Sequence, residues 1–271
     1  MSGKLYNILV PVSFGSRDKW AIAKAIELSN HFNCRIHLVY FSGRAQRLFR
    51  RNERFESAAL RLRGLRDRYA NQLCGEGTME VAGMAGKRRR QMQHYIRHHE
   101  IDLVIIGLSR FNLVHRLISS ISIPRLSAQL QCPVLAVRAS GLLYHFKKIV
   151  LPVTNDLPIR QIRLAALLGR AFRSTVYFVS LRRQPETKGQ AIVSQALELL
   201  QSISTIPVQC FLLEGKNIAQ STLEFSKKIN ADLILIHPLK EFRLPGFWNR
   251  LTNNLLSYRS KIPVAIVSPD N

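Results

Sequence analysis

Acidic residues are scarce in this chain of 271 residues: 17 Asp and Glu stand against 40 Lys and Arg, for a formal net charge of +23. That excess predicts attraction to anions of any class and carries no information about fold. Cysteine is also sparse. Cys34, Cys74, Cys132 and Cys210 have no CxxC spacing, which argues against a zinc site and against a disulfide framework, and favours buried thiols in a reducing compartment. No uncharged apolar run reaches the ~18 residues of a spanning helix, so no transmembrane segment is expected. Residues 1–8 lack the pattern of a secretory signal, and the chain is expected in the cytoplasm. Hydrophobic residues make up 46%, which suits a globular chain rather than a disordered one.

What is present is a repeat. Residues 8–12 read ILVPV and 149–153 read IVLPV; 102–106 read DLVII and 232–236 read DLILI; 133–137 read PVLAV and 263–267 read PVAIV. Asp102 to Pro133 spans 31 residues, as does Asp232 to Pro263, whereas the stretch before each aspartate is 94 residues in one copy and 83 in the other. Two copies of one domain are therefore expected, at 1–140 and 146–271, the second shortened by 11 residues. Short apolar runs rich in branched residues alternate with segments of helical period, which predicts five buried parallel strands per copy with helices on both faces. Strands are expected at 8–12, 36–41, 80–84, 103–107 and 133–138, then at 149–153, 175–180, 208–213, 233–237 and 264–267. Helices are expected at 89–99 and 122–130, then near 159–172, 190–202, 219–229 and 252–259, besides the stretch from Ile22 to Phe32.

The order of these segments resembles the universal stress protein family in its tandem form. The resemblance is carried by ILVPV, DLVIIG and QCPVLAV in the first copy and by KKIVLPV, ADLILI and KIPVAIV in the second. It implies an α/β fold: two doubly wound five-stranded parallel-sheet domains of the adenine-nucleotide-hydrolase-like type, packed as an intramolecular pseudo-dimer through their last strands. Many members bind ATP with a G-x2-G-x9-G-[ST] motif after the fourth strand, where glycines admit backbone N–H groups to the phosphates. An aspartate ending the first strand assists them.

This chain departs from that pattern. Gly107 matches the first glycine, but Arg110, Ser120 and Ile121 replace the rest, and Ser13 stands at the aspartate position. The second copy has His237, Lys240, Arg250 and Leu251, with Thr154 for the aspartate and bulky Leu244 to Trp248 in the loop. A side chain at a phosphate-loop glycine blocks close approach, so no cofactor is expected in the second copy, and ATP remains open in the first copy alone. There Ser13, Gly107, Arg110, Ser119, Ser120 and Ser122 are the candidate ligand residues. The serines serve equally as caps for a helix with Pro124 in its first turn.

The first 143 residues hold 23 Lys and Arg against 9 Asp and Glu. From Ala45 to Leu73, Leu48, Phe55, Leu62 and Tyr69 recur every seven residues, with Ala58, Ala59 and Leu65 between them. That is the buried stripe of an amphipathic helix. Arg47, Arg54, Arg61 and Arg68 recur one position earlier and form a basic stripe beside it. Lys87, Arg88, Arg89 and Arg90 follow Gly86 at the entry to the next helix. The stripe and the run together are a candidate anion-binding face for a phosphate ligand, nucleic acid without sequence preference, or an anionic surface. No aromatic residues interleave with these arginines on one face, which excludes specific base reading.

Catalytic signatures are missing. His94 and His98 have metal-ligand spacing without the HExxH glutamate, and Arg90 and Arg97 oppose a cation, so no metal is expected. Asp102 and Asp232 recur before the fourth strands, which suggests a turn or cap role. The expected function is non-catalytic: a regulatory or scaffolding module of stress response that binds another protein and pairs as a homodimer. A nucleotide or phosphate sensor and an electrostatic binder are the alternatives.

Overall fold

The branched runs become strands. The structure is a computed structural model describing residues 4–43, 51–108, 127, 129–154, 156–182, 187–215, 217–236 and 261–267. In the first copy β1 (Asn7–Val12), β2 (Arg35–Ser42), β3 (Thr78–Ala85), β4 (Leu103–Gly107) and β5 (Val134–Val137) pair in parallel in the order β3-β2-β1-β4-β5. Helices α1 (Asp18–Phe32), α2 (Arg51–Tyr69) and α3 (Arg88–His98) connect them. Ile8 lies opposite both Ile36 and Leu103, and these side chains are buried because a parallel sheet covered on both faces hides both sides of its strands.

The second copy repeats the arrangement. Strands β6 (Lys148–Pro152), β7 (Thr175–Leu181), β8 (Val208–Leu213), β9 (Leu233–Ile236) and β10 (Val264–Ile266) run in the order β8-β7-β6-β9-β10. Helices α4 (Ile159–Phe172), α5 (Thr187–Ile203) and α6 (Ile218–Lys228) join them. Val150, Ile234, Val264 and Ile266 form its core with Ala219 and Leu223 of α6. The two-copy doubly wound α/β architecture is thus as expected. The chain divides between Ala139 and Ser140, with Ser127 grouped with the carboxyl-terminal unit, where its hydroxyl donates to the Ile266 carbonyl at 3.1 Å.

Equivalent residues brace each copy internally in equivalent ways. The Asp102 carboxylate accepts the backbone N–H groups of Tyr6 (2.8 Å) and Asn7 (3.1 Å), and Asp232 accepts that of Lys148 (2.9 Å). Each aspartate therefore fastens the start of its unit's first strand to the fourth. Asn33 after α1 and Arg173 after α4 both take the left-handed conformation, with φ of 54° and 52°, and return an N–H to the last turn.

The differences from expectation are local. Helix α2 buries Ala58 and Leu62 and half-buries Leu65 and Tyr69, but Ala59 is exposed, because the 58-62-65-69 spacing already fills the inward face. A 3-10 turn (Ala70–Gln72) ends it. Cys34 and Cys132 are buried as expected, whereas Cys74 and Cys210 are exposed, one beyond the end of α2 and the other on β8, most of which is exposed. Leu48 and the helices expected at 122–130 and 252–259 fall wholly or mostly outside the described residues. No described helix is long and apolar enough to cross a membrane.

Candidate functional site

In a doubly wound sheet, ligands gather at the carboxyl ends of strands where the strand order reverses. Here that point lies between β1 and β4, at Ser13 and Gly107. The turn after β1 is organised by Asp18. Its carboxylate accepts the Ser13 N–H (2.9 Å), the Ser13 hydroxyl (3.0 Å) and the Gly15 N–H (3.1 Å). Ser13 takes the place expected for an aspartate, yet a buried carboxylate stands five residues later, with its oxygens committed to the turn. Sequence reading missed it; the signal was an acidic residue opening the first turn of α1.

Gly107 packs against this turn. A Cβ built on it would lie 2.2 Å from the carbonyl oxygen of Arg17 and 2.8 Å from its carbon. The glycine lets the α1 entrance close onto β4, so close backbone packing accounts for it with no phosphate present. The other candidate residues of this cleft, Arg110, Ser119, Ser120 and Ser122, lie outside the described residues, as do His237, Lys240, Arg250 and Leu251 of the second copy.

The basic stripe is partly brought together. Arg47 and the side chain of Arg54 lie outside the description. Arg61 and Arg68 face the β1–α1 turn across a cleft of about 500 Å³, into which Lys19 also opens. The Arg61 guanidinium lies 4.2 Å from the centroid of the Phe14 ring, which in turn contacts Tyr40 at 5.1 Å. The second basic run divides. The Nε of Arg88 donates to the Phe41 carbonyl at 3.1 Å, fastening the start of α3 to the end of β2, while Lys87, Arg89 and Arg90 are exposed.

A third cluster centres on His37, which is buried on β2. Its Nε2 faces Asn7 Oδ1 at 3.2 Å and its Nδ1 faces the Tyr95 hydroxyl at 3.0 Å. The neutral ring satisfies both: Nε2–H donates to Asn7, and Nδ1 accepts from Tyr95. Burial pushes the His37 imidazole down to about 4, with Glu80 opposing the shift, and pushes the Tyr95 phenol up to about 12. Neither group exchanges a proton near neutral pH, so the pair fixes structure and offers no acid–base chemistry. His94 and His98 stack at 5.9 Å on the exposed side of α3, and among the described residues no group of three His, Cys, Asp or Glu could hold a metal.

Residues 5–138 match the model of the Universal stress protein family. A universal stress protein from Archaeoglobus fulgidus DSM 4304 shares the fold, with 11% identity, TM-score 0.73, and coverage of 97% of this chain and 98% of that one. A functionally unknown protein from Pseudomonas aeruginosa PAO1 matches with 14% identity, TM-score 0.59, and coverage of 99% and 94%. A universal stress protein from Archaeoglobus fulgidus in complex with dAMP covers 45% of this chain and 98% of its own, at 20% identity and TM-score 0.37. No curated protein matches the chain.

Proposed function

We propose that this chain, residues 5–138 of which match the model of the Universal stress protein family, is a non-catalytic, two-domain regulatory or scaffolding member of that family, with domains at 1–140 and 146–271, that has given up ATP at the Gly107 cleft. The observation that carries this reading is the Arg17 carbonyl in the space a Gly107 Cβ would need. Backbone packing accounts for this glycine without a phosphate. The Ser13 hydroxyl is likewise turned to Asp18 and not outward to a ribose. The replacement of the remaining glycines by Arg110, Ser120 and Ile121 points the same way. The proposed setting is the cytoplasm, the proposed partner another protein, and the proposed assembly a homodimer.

The test is calorimetric titration of the whole chain with ATP and Mg²⁺, together with a phosphate-release assay. No saturable heat and no hydrolysis above buffer are expected. Saturable binding that a Gly107→Ala variant removes while it still melts cooperatively would overturn the proposal in favour of a nucleotide sensor.

A further inference from the structure

We propose that the cleft between the β1–α1 turn and helix α2 is a ligand site for a small aryl phosphate, a dianionic phosphate carried on a flat apolar ring. Neither Gly107 nor Arg17 lines it, so it opens on the α2 side of the β1–α1 turn, with Gly15 and Asp18 of that turn shared with the Gly107 cleft. Its volume of about 500 Å³ falls within the range of small-molecule sites.

The lining has two characters. Phe14, Leu65 and Tyr69 supply apolar and aromatic surface, while Lys19, Arg61 and Arg68 supply positive charge. Among the described residues none of these three cations makes an ion pair. The one lining carboxylate, Asp18, is occupied by Ser13 and Gly15. The cleft therefore keeps a net positive charge, three cations against the one Asp18 carboxylate, beside an apolar wall. Arg61 is also held in place: its guanidinium rests on the Phe14 ring, which orients a planar fork suited to two phosphate oxygens.

Gly64 is the independent observation. It sits inside α2, where glycine is a poor helix former. A Cβ there would meet nothing within 4 Å, and its φ is not positive, so neither packing nor backbone conformation calls for glycine. It does line the cleft. Arg61, Gly64 and Arg68 stand at i, i+3 and i+7, on one face of the helix. The missing side chain leaves a notch between two arginines through which a ligand can reach the helix surface.

The test titrates the full chain with phenyl phosphate at low salt, with inorganic phosphate as the charge-only probe. Saturable binding of phenyl phosphate is expected, at least about fivefold tighter than inorganic phosphate, with Arg61→Ala and Arg68→Ala each weakening it about tenfold. Gly64→Leu should fill the notch and abolish binding while the melting temperature holds or rises, which separates a blocked site from a damaged fold. No saturation by ~10 mM phenyl phosphate, equal affinity for the two probes, or binding indifferent to all three variants would each overturn the proposal. ATP binding abolished by Gly64→Leu but kept by Gly107→Ala would place the nucleotide in this cleft and leave the reading of Gly107 intact.

Discussion

The imidazole of His37 and the hydroxyl of Tyr95, 58 residues apart in the chain, meet at 3.0 Å beneath helix α3. With Nε2 on Asn7, the ring ties β2 to β1 on one side and to α3 on the other. The Tyr95 ring also stacks on His99 at 4.0 Å and meets Phe41 edge-on at 6.3 Å. One polar pair thus sets how α3 sits on the sheet.

Removing the donor should therefore destabilise the first unit. Tyr95→Phe leaves His37 Nδ1 buried without a partner, at an expected cost of about 1–3 kcal/mol. Urea unfolding measures this, and a His37→Leu/Tyr95→Phe double variant should lose less than the sum of the two single changes.

The same pair predicts a pH dependence. His37 titrates near 4 when folded and near ~6.5 when unfolded, so the unfolded chain binds the extra proton. The stability it contributes is present in full above about pH 6.5 and is lost as pH falls toward 4, with a ceiling of roughly 3 kcal/mol. His99 is shifted down as well, chiefly by burial and with His98 adding to the shift, and acts in the same direction. The urea midpoint of the native chain should fall between pH 7 and pH 4.5, and His37→Gln should flatten that fall.

Two glycines should respond in opposite ways. Gly107→Ala drives a methyl into the Arg17 carbonyl and should cost about 1–3 kcal/mol or more, since backbone cannot step aside cheaply. Gly64→Ala meets no obstacle and should stabilise α2 by about 0.5–1 kcal/mol. Thermal melts of the two variants side by side check both, and loss of stability in Gly64→Ala would contradict the open space around that residue.

Thiol reactivity should follow burial. Burial, with the Asp102 carboxylate adding, pushes the Cys34 thiol up to about 12, and Cys132 is buried with its Sγ 3.3 Å from the Ile101 carbonyl. Iodoacetamide at neutral pH should label Cys74 first, because it is exposed. Cys210 is exposed as a residue, yet burial raises its thiol, so it should follow more slowly. Peptide mass spectrometry over time gives the order, and early labelling of Cys34 would show that the β2 region opens more readily than its packing implies.

The amino-acid sequence by itself determined the repeat, the strands and most of the helices. Runs such as ILVPV and DLILI are buried on both faces, so their composition reports their fate without reference to the rest of the chain. Asp102 and Asp232 were legible for the same reason: a residue repeated at one place in both copies does the same local task, and both bind the first strand's N–H groups. The positive charge was legible as an amount and as a seven-residue spacing on α2.

Tertiary structure alone decided what those residues meet. The Arg61 guanidinium on the Phe14 ring, the Arg17 carbonyl against Gly107 and the Tyr95 hydroxyl on His37 join segments 47, 90 and 58 residues apart. No local period encodes such a contact, because it depends on how the crossover helices lie on the sheet. Gly107 reads as a phosphate-loop glycine in one dimension and as a packing glycine in three. Asp18, five residues from where an aspartate was sought, becomes the centre of its turn only when the chain folds back upon it.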